Sequence, residues 1–172
     1  VSTPNGYKVG LVGKNGTGKT SLFRLIYGEI TLDQGNLKLS KNAQIGGVSQ
    51  EAPGSSVTLL DTVLASDRER VDLLQKAEEE KDPLKIAEIQ TRLVDIDAWS
   101  AEARASTILN GLGFDKHKQR LACSEFSGGW RMRVALAAVL FSKPDLLLLD
   151  EPSNYLDLEG TIWLQAYISK YP

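Results

Sequence analysis

The residues best equipped for chemistry stand at 13–20, Gly-Lys-Asn-Gly-Thr-Gly-Lys-Thr. They match the pattern G-x-x-x-x-G-K-[ST], a loop that cradles phosphates. A polyphosphate needs several backbone N–H donors turned inward, and a side chain at Gly16 or Gly18 would block that approach. A helix opening near Lys19 adds its positive end, worth roughly half a charge. Lys19 can reach the terminal phosphates, and the Thr20 hydroxyl can ligate Mg2+. Gly13, Asn15, Gly16, Thr17, Gly18, Lys19, Thr20 and Ser21 are the expected nucleotide-binding set.

Two further groups could act on the same phosphates. Asp150 and Glu151 follow four consecutive leucines. A carboxylate at the end of a buried strand stands at the rim where ligands bind in open α/β sheets. Asp150 suits the shell of a Mg2+ ion. Glu151, one residue on, points elsewhere and is the candidate general base for a water. The other group is Ser127-Gly128-Gly129 at the start of an apolar helical stretch. Its free backbone N–H groups would make a second anion site. An ordinary serine-capped helix with a tight glycine turn fits these three residues equally well. One nucleotide rarely needs two such sites within one chain, whereas two facing chains do.

The elements that must position these groups can be read from periodicity. Tyr7 to Val12 alternates like a strand and leads into the glycine loop. Thr20 to Tyr27 reads as a helix stopped by Gly28. Asn36 to Ser40 and Gln44 to Val48 are short strand candidates. The character changes after about Ser56. Asp82-Pro83 is a helix start, with Asp as cap and Pro in the first position. Ile86, Ile89, Leu93 and Ile96 then form one apolar stripe. A further helix runs from about Ala98 to Asn110 and stops at Gly111. Ser127-Gly-Gly opens a helix through Ser142, ended by Pro144. Leu146 to Leu149 reads as a strand covered on both faces, and Leu158 to Ser169 as a last helix. The expected fold is α/β: a partial core from 1–57 and 143–172, with an incomplete sheet, and an inserted helical subdomain at 58–142 ending in the Ser127 helix.

Composition narrows the partners. The chain has 172 residues and a formal charge of -2, so no overall basic excess marks a nucleic-acid binder. Direct DNA binding is not expected. Cys123 is the only cysteine and makes no internal disulfide, which fits a reducing compartment. Val134 to Phe141, the longest clean apolar run, is far too short to span a membrane. A cytoplasmic domain without a membrane part is the expectation.

Taken together, these segments resemble the ATP-binding cassette (ABC) superfamily over essentially the whole chain. The resemblance assigns a phosphate loop at 13–20, a Q-loop glutamine at Gln50 and a signature at Ser127-Gly128-Gly129. It further assigns a Walker-B segment from Leu146 to Glu151 and a D-loop at Ser153-Asn-Tyr-Leu-Asp157. It implies a P-loop NTPase core that takes ATP and Mg2+. Thr20, Gln50 and Asp150 would surround the metal, and Lys19, Gln50 and Glu151 would carry catalysis. Ser127, Gly128 and Gly129 would act on the ATP of a partner cassette, and Asp157 would couple the two facing sites.

Within the superfamily the chain is most similar to the first cassette of the ABC-F class. Lys8-Val-Gly-Leu-Val-Gly-Lys-Asn-Gly, Ile96-Asp-Ala-Trp99, Gly111-Leu-Gly-Phe and Phe126-Ser-Gly-Gly-Trp-Arg-Met-Arg carry that resemblance. So does Leu149-Asp-Glu-Pro-Ser-Asn-Tyr-Leu-Asp-Leu-Glu-Gly, although Ser153 and Tyr155 stand where the class usually has Thr and His. The class implies a soluble two-cassette ATPase, nucleotide-gated and associated with the ribosome as a translation factor. A transporter's motor cassette and a non-catalytic nucleotide-gated module are the alternatives. The family's switch histidine and adenine-stacking aromatic have no counterpart in this sequence, so a chain truncated at both ends is expected, inactive by itself.

The remaining conspicuous residues have plainer readings. His117, the sole histidine, reads as a surface residue between Lys116 and Lys118. Trp99 and Trp163 read as core, and Trp130 as packing beside the signature. Arg131 and Arg133 suit either a phosphate, a cassette interface or ordinary surface pairs. Glu78 to Lys81 reads as a solvated helix face.

Overall fold

The computed structural model describes residues 6–14, 16–48 and 51–171. Seven helices and two strands alternate along it. Helix α1 (Lys19–Ile26) follows the glycine loop, and β1 (Ile45–Gly47) follows a long exposed segment. A helical block comes next: α2 (Leu59–Leu64), α3 (Arg68–Glu79), α4 (Pro83–Asp95) and α5 (Ala101–Gly111). Helix α6 (Gly128–Ser142), β2 (Leu146–Leu148) and α7 (Leu158–Ser169) complete the chain.

The helix starts in the block are fixed by side chains that bind the orphan N–H groups of a first turn. Thr58 Oγ1 accepts from Asp61 N at 3.1 Å, opening α2. Asp67 caps α3 through Arg70 N at 3.0 Å. Asp82 caps α4 through Leu84 N at 3.0 Å, with Pro83 in the first turn as its sequence position predicts. Leu93, on the predicted stripe of α4, is fully buried. The α3–α4 hairpin is tied on its outer side by Arg92 Nε and Glu69 Oε1 at 2.6 Å.

The core lies where α2, α5 and α6 meet. Leu59, Val63, Ala105, Leu109, Leu112, Phe114, Val134, Ala137 and Leu140 are completely excluded from solvent there. Phe114 packs edge-on to Phe126 and Trp130, with ring centroids 5.7 and 5.1 Å away. This geometry suits the ring quadrupoles. It also fixes the start of α6 to the helical block. Helix α7 also packs against α5, with its Trp163 over Gly111 and stacked on Tyr167 at 5.0 Å. Tyr171, just beyond α7, donates its hydroxyl to the Pro144 carbonyl at 3.0 Å. Burial pushes that phenol up to about 12.

The sheet holds two parallel strands, with Ile45, Gly46 and Gly47 opposite Leu146, Leu147 and Leu148. Asp145 clips its start, accepting from Gln44 N at 2.8 Å. The glycines of β1 answer close neighbours. A methyl at Gly46 would stand 2.5 Å from the Pro144 ring, and one at Gly47 would overlap the Tyr27 hydroxyl. Bare backbone is what lets α1 and the 143–145 turn press against this strand.

Two predicted strands are not formed. Residues 7–12 and 36–40 carry the expected alternation but take no ladder position. Tyr7, Val9, Leu11, Leu37 and Leu39 are all exposed. Alternation reports which face a strand would bury, whereas a strand exists only through a partner's hydrogen bonds. Among the described residues no third strand offers those bonds. Trp99 is a second correction. It sits on a 3-10 turn (Ala98–Ser100) between α4 and α5 and is 67% exposed. The turn directs Ala98 and Ala101 inward instead.

The contact between α5 and α7 yields a stability test. A methyl at Gly111 would fall within the Trp163 ring. Gly111→Ala should cost about 1–3 kcal/mol through overpacking. Urea unfolding followed by tryptophan fluorescence measures it. An unchanged midpoint would show that Trp163 yields freely.

Candidate functional site

The phosphate loop takes the shape its glycines allow. Gly16 and Gly18 have φ of 81° and 90°, the left-handed region that side chains disfavour. Thr17 Oγ1 donates to the Lys14 carbonyl at 2.8 Å and closes the loop on itself. Gly18 opens α1 without any side-chain cap, so the first N–H groups of that helix stay free for a ligand. Lys19 folds back over the loop and donates to the carbonyls of Gly13 at 2.7 Å and Lys14 at 3.1 Å. An ammonium held over a ring of N–H donors is a ready counter-charge for phosphate.

The acidic pair comes to the same place. Thr20 Oγ1 donates to Asp150 Oδ2 at 2.6 Å across 130 residues of sequence. This bond joins the start of α1 to the end of β2. Hydroxyl and carboxylate oxygens are the hard donors that Mg2+ takes, few in number and completed by phosphate and water. The described part of the predicted metal set therefore fits that ion. Glu151 follows with φ 44° and ψ 51°. For a residue with a side chain this left-handed geometry costs on the order of 1 kcal/mol. Asn154 offsets it twice, donating its backbone N–H to the Glu151 carbonyl at 3.0 Å and its Nδ2 to Oε2 at 3.0 Å.

These groups line one open cleft of about 730 Å3. Gly16, Gly18, Lys19, Thr20 and Ser21 form one wall, and Asp150, Glu151 and Asn154 the facing one. Phe23, Tyr27, Met132 and Leu136 supply an apolar floor that sequence reading missed. Their signal is weak, because any apolar helical position looks the same in sequence. Gly13 and Thr17 belong to the loop but are not on the cleft lining. Asn15 and Gln50 lie outside the described residues.

The Ser127-Gly128-Gly129 group is not in this cleft. It forms the N-terminal turn of α6, while Met132 and Leu136, one and two turns later, face the cleft. The expected serine cap is absent, since the Ser127 side chain makes no capping hydrogen bond. Its backbone alone takes the N-cap role, its carbonyl accepting from Arg131 N at 2.9 Å. The hydroxyl and the first N–H groups are thus left available.

Asp157 is engaged within its own chain. It caps α7 through Gly160 N at 2.8 Å and pairs with Arg133 Nη1 at 2.8 Å. Arg133 also donates to the Tyr155 carbonyl at 2.5 Å and stacks on Trp130 at 4.4 Å. Of the roles open to Arg133, the observed one is to bind 155–157 to α6. His117 and Glu78 are exposed as expected.

The Gly160 N–H, and then Arg133, hold the Asp157 carboxyl below its usual range. A depressed carboxyl contributes stability that is full above its unfolded-state value. The contribution fades as pH falls from there through the folded value. The stability difference between wild type and Asp157→Asn should therefore be constant near neutrality and shrink in that acid window. Chemical denaturation at a series of pH values measures it, and a difference independent of pH would refute the assignment.

Comparison with known proteins agrees with this geometry. The sequence model described as ABC transporter matches residues 1–154. The ATP-binding protein YheS of Escherichia coli (strain K12) is 46% identical over 169 residues, covering 96% of this chain and 26% of that protein. ATP-binding cassette sub-family F member 3 of Homo sapiens is 42% identical over 178 residues, covering 97% of this chain and 24% of that protein. The chain thus spans about a quarter of the length of these relatives. A solved ATP-binding subunit of an ABC transporter shares the fold with TM-score 0.60 at 17% identity, over 93% of this chain and 61% of that one. Loop, acidic pair and family pattern coincide, and the chain belongs to the ABC transporter family.

Proposed function

We propose that this chain is the Mg-ATP-binding cassette of a soluble ABC-F-type ATPase that acts as a nucleotide-gated, ribosome-associated translation factor. The observation that carries the ATPase part is the 2.6 Å bond between Thr20 and Asp150 within one cleft. It brings the loop that binds phosphate and the strand that ends in two acids to one point. The ribosomal part rests on likeness to F sub-family proteins at more than 40% identity.

In this reading the backbone of 13–20 and the ammonium of Lys19 hold the phosphates and neutralise charge on the leaving side. Thr20 and Asp150, with Gln50, would hold Mg2+, which would supply charge neutralisation for the phosphates. Glu151 accepts a proton from the attacking water at Oε1 or Oε2. Its carboxylate is held by Asn154 and that of Asp150 by Thr20, which supports dividing the two acids between water and metal. Ser127, Gly128 and Gly129 serve the nucleotide of a second cassette, a role supported by their lying outside this chain's own cleft. ATP turnover accordingly requires the partner cassette.

Glu151→Gln in the intact parent protein, with the equivalent change in its other cassette, tests both parts. Hydrolysis should fall about 10²–10⁴-fold while ATP binding persists. The ATP-closed state should then accumulate. Sedimentation with ribosomes in ATP and in ADP is the readout. Co-sedimentation only in ATP supports the translation role. A closed protein that stays in the supernatant under both conditions excludes it and favours a membrane partner. Hydrolysis equal to wild type removes Glu151 as the base.

A further inference from the structure

Arg131 and Glu51 take no part in the site as described above, yet they join two of its segments. Glu51 follows Gln50 directly in sequence, and Arg131 lies in the first turn of α6. Arg131 Nη2 donates to Glu51 Oε1 at 2.9 Å, across 80 residues of sequence. Its Nη1 donates to the Phe126 carbonyl at 2.8 Å. The Arg131 carbonyl accepts from Ala52 N at 3.2 Å, so backbone and side chain grip the 51–52 segment together. Ala52 is itself buried in the core. The other carboxylate oxygen of Glu51 lies over Gly128, where a methyl would stand 2.5 Å from it.

The energetics point to position rather than stability. The pair is partly solvated, with side chains 22% and 47% exposed, and such pairs contribute little to folding. Arg131 Nε is buried with no partner among the described residues. A guanidinium that tolerates this is held by its remaining contacts, Glu51 and Phe126. The planar fork reaches both at once, which a lysine cannot do.

We infer that Arg131 and Glu51 are positioning residues that lock the 51–52 segment onto the first turn of α6. The segment after Gln50 and the Ser127–Gly129 turn then move as one body. This rests on the ATPase reading above and adds to it a coupling between the chain's own nucleotide cleft and the turn offered to a second cassette. Neither residue touches the nucleotide in this assignment.

The test is a double-mutant cycle in the intact parent protein. Glu51→Gln keeps shape and removes the charge, Arg131→Gln removes the fork, and the two changes together complete the cycle. Each single variant should lower kcat for ATP about tenfold while KM stays within about twofold of wild type. The double variant should lose little more than either single variant, which independent disruption of packing would not permit. Thermal unfolding identifies any variant that fails to fold, and Glu51→Gln, an isosteric change at an exposed residue, keeps the cycle readable. Single variants with wild-type kcat, or losses that merely multiply in the double variant, would overturn the inference. A wild-type parent without ATP turnover would instead sink the ATPase reading and this coupling with it.

Discussion

The structure depends above all on the burial of α6 from two directions. A helix whose apolar residues run all round must be covered on more than one side. Val134, Ala137, Leu140 and Phe141 satisfy one side against α2 and α5. Leu136 and Met132 turn the other way and form the floor of the nucleotide cleft. The helix is therefore a shared wall. Its axis cannot shift relative to the helical block without exposing side chains such as Val134 and Leu140 that are now wholly dry. Interiors packed at this density have discrete arrangements rather than continuous ones.

Polar contacts then attach the functional segments to that wall. Arg133 holds 155–157, the stretch after the acidic pair, through Tyr155 and Asp157. Arg131 holds Glu51 and Ala52. Trp130, just before Arg131 in sequence, lies under Arg133 and against Phe114, so cation and ring stabilise each other. The first turns of one helix, within residues 131–136, thus touch the second sheet strand's exit, the segment after Gln50 and the cleft. The Thr20–Asp150 bond completes the set by fixing α1 to β2. Each contact is modest on its own, since most involve solvated charges. Their effect comes from sharing one rigid support.

Much of this was legible in the sequence, for identifiable reasons. Local signals held: Asp82-Pro83 opens α4, Gly18-Lys19 opens α1, and Leu158–Ser169 is α7 to the residue. Caps and helical periodicity are decided within one or two turns, so the sequence displays them. The phosphate loop and the acid pair were readable because their chemistry demands particular residue types at fixed spacing. What failed or was missed is nonlocal. Residues 7–12 alternate as a strand should and yet pair with nothing among the described residues. Trp99 is apolar but rides on a turn that faces out. Arg131 and Arg133 look alike in sequence, and only partners 80 residues upstream and 24 downstream separate their roles. The missing cap at Ser127 belongs to the same class, because a rotamer is set by surroundings that composition does not encode.

The two helix starts most suited to anions, those of α1 and α6, are built by opposite means and face different spaces. At α1 the chain supplies glycine instead of a capping side chain, and the lysine that follows curls over the loop. At α6 a serine is present but does not cap, and a carboxylate, Glu51, sits beside the first glycine. A free N–H cluster next to a carboxylate is partly answered already, whereas one beside an ammonium is not. The first start is primed for phosphate within its own cleft. The second is held close to neutral by its own chain, since Glu51 is turned toward Arg131 and not toward an added anion. Phosphate arriving at α6 must come from outside this cleft, whose lining includes no residue of 127–129. It would meet a turn already locked, through Ala52 and Arg131, to the segment next to Gln50. In this geometry a ligand that perturbs the outer face of α6 would be felt first at the 51–52 segment, through the Arg131 contacts to Glu51 and Ala52.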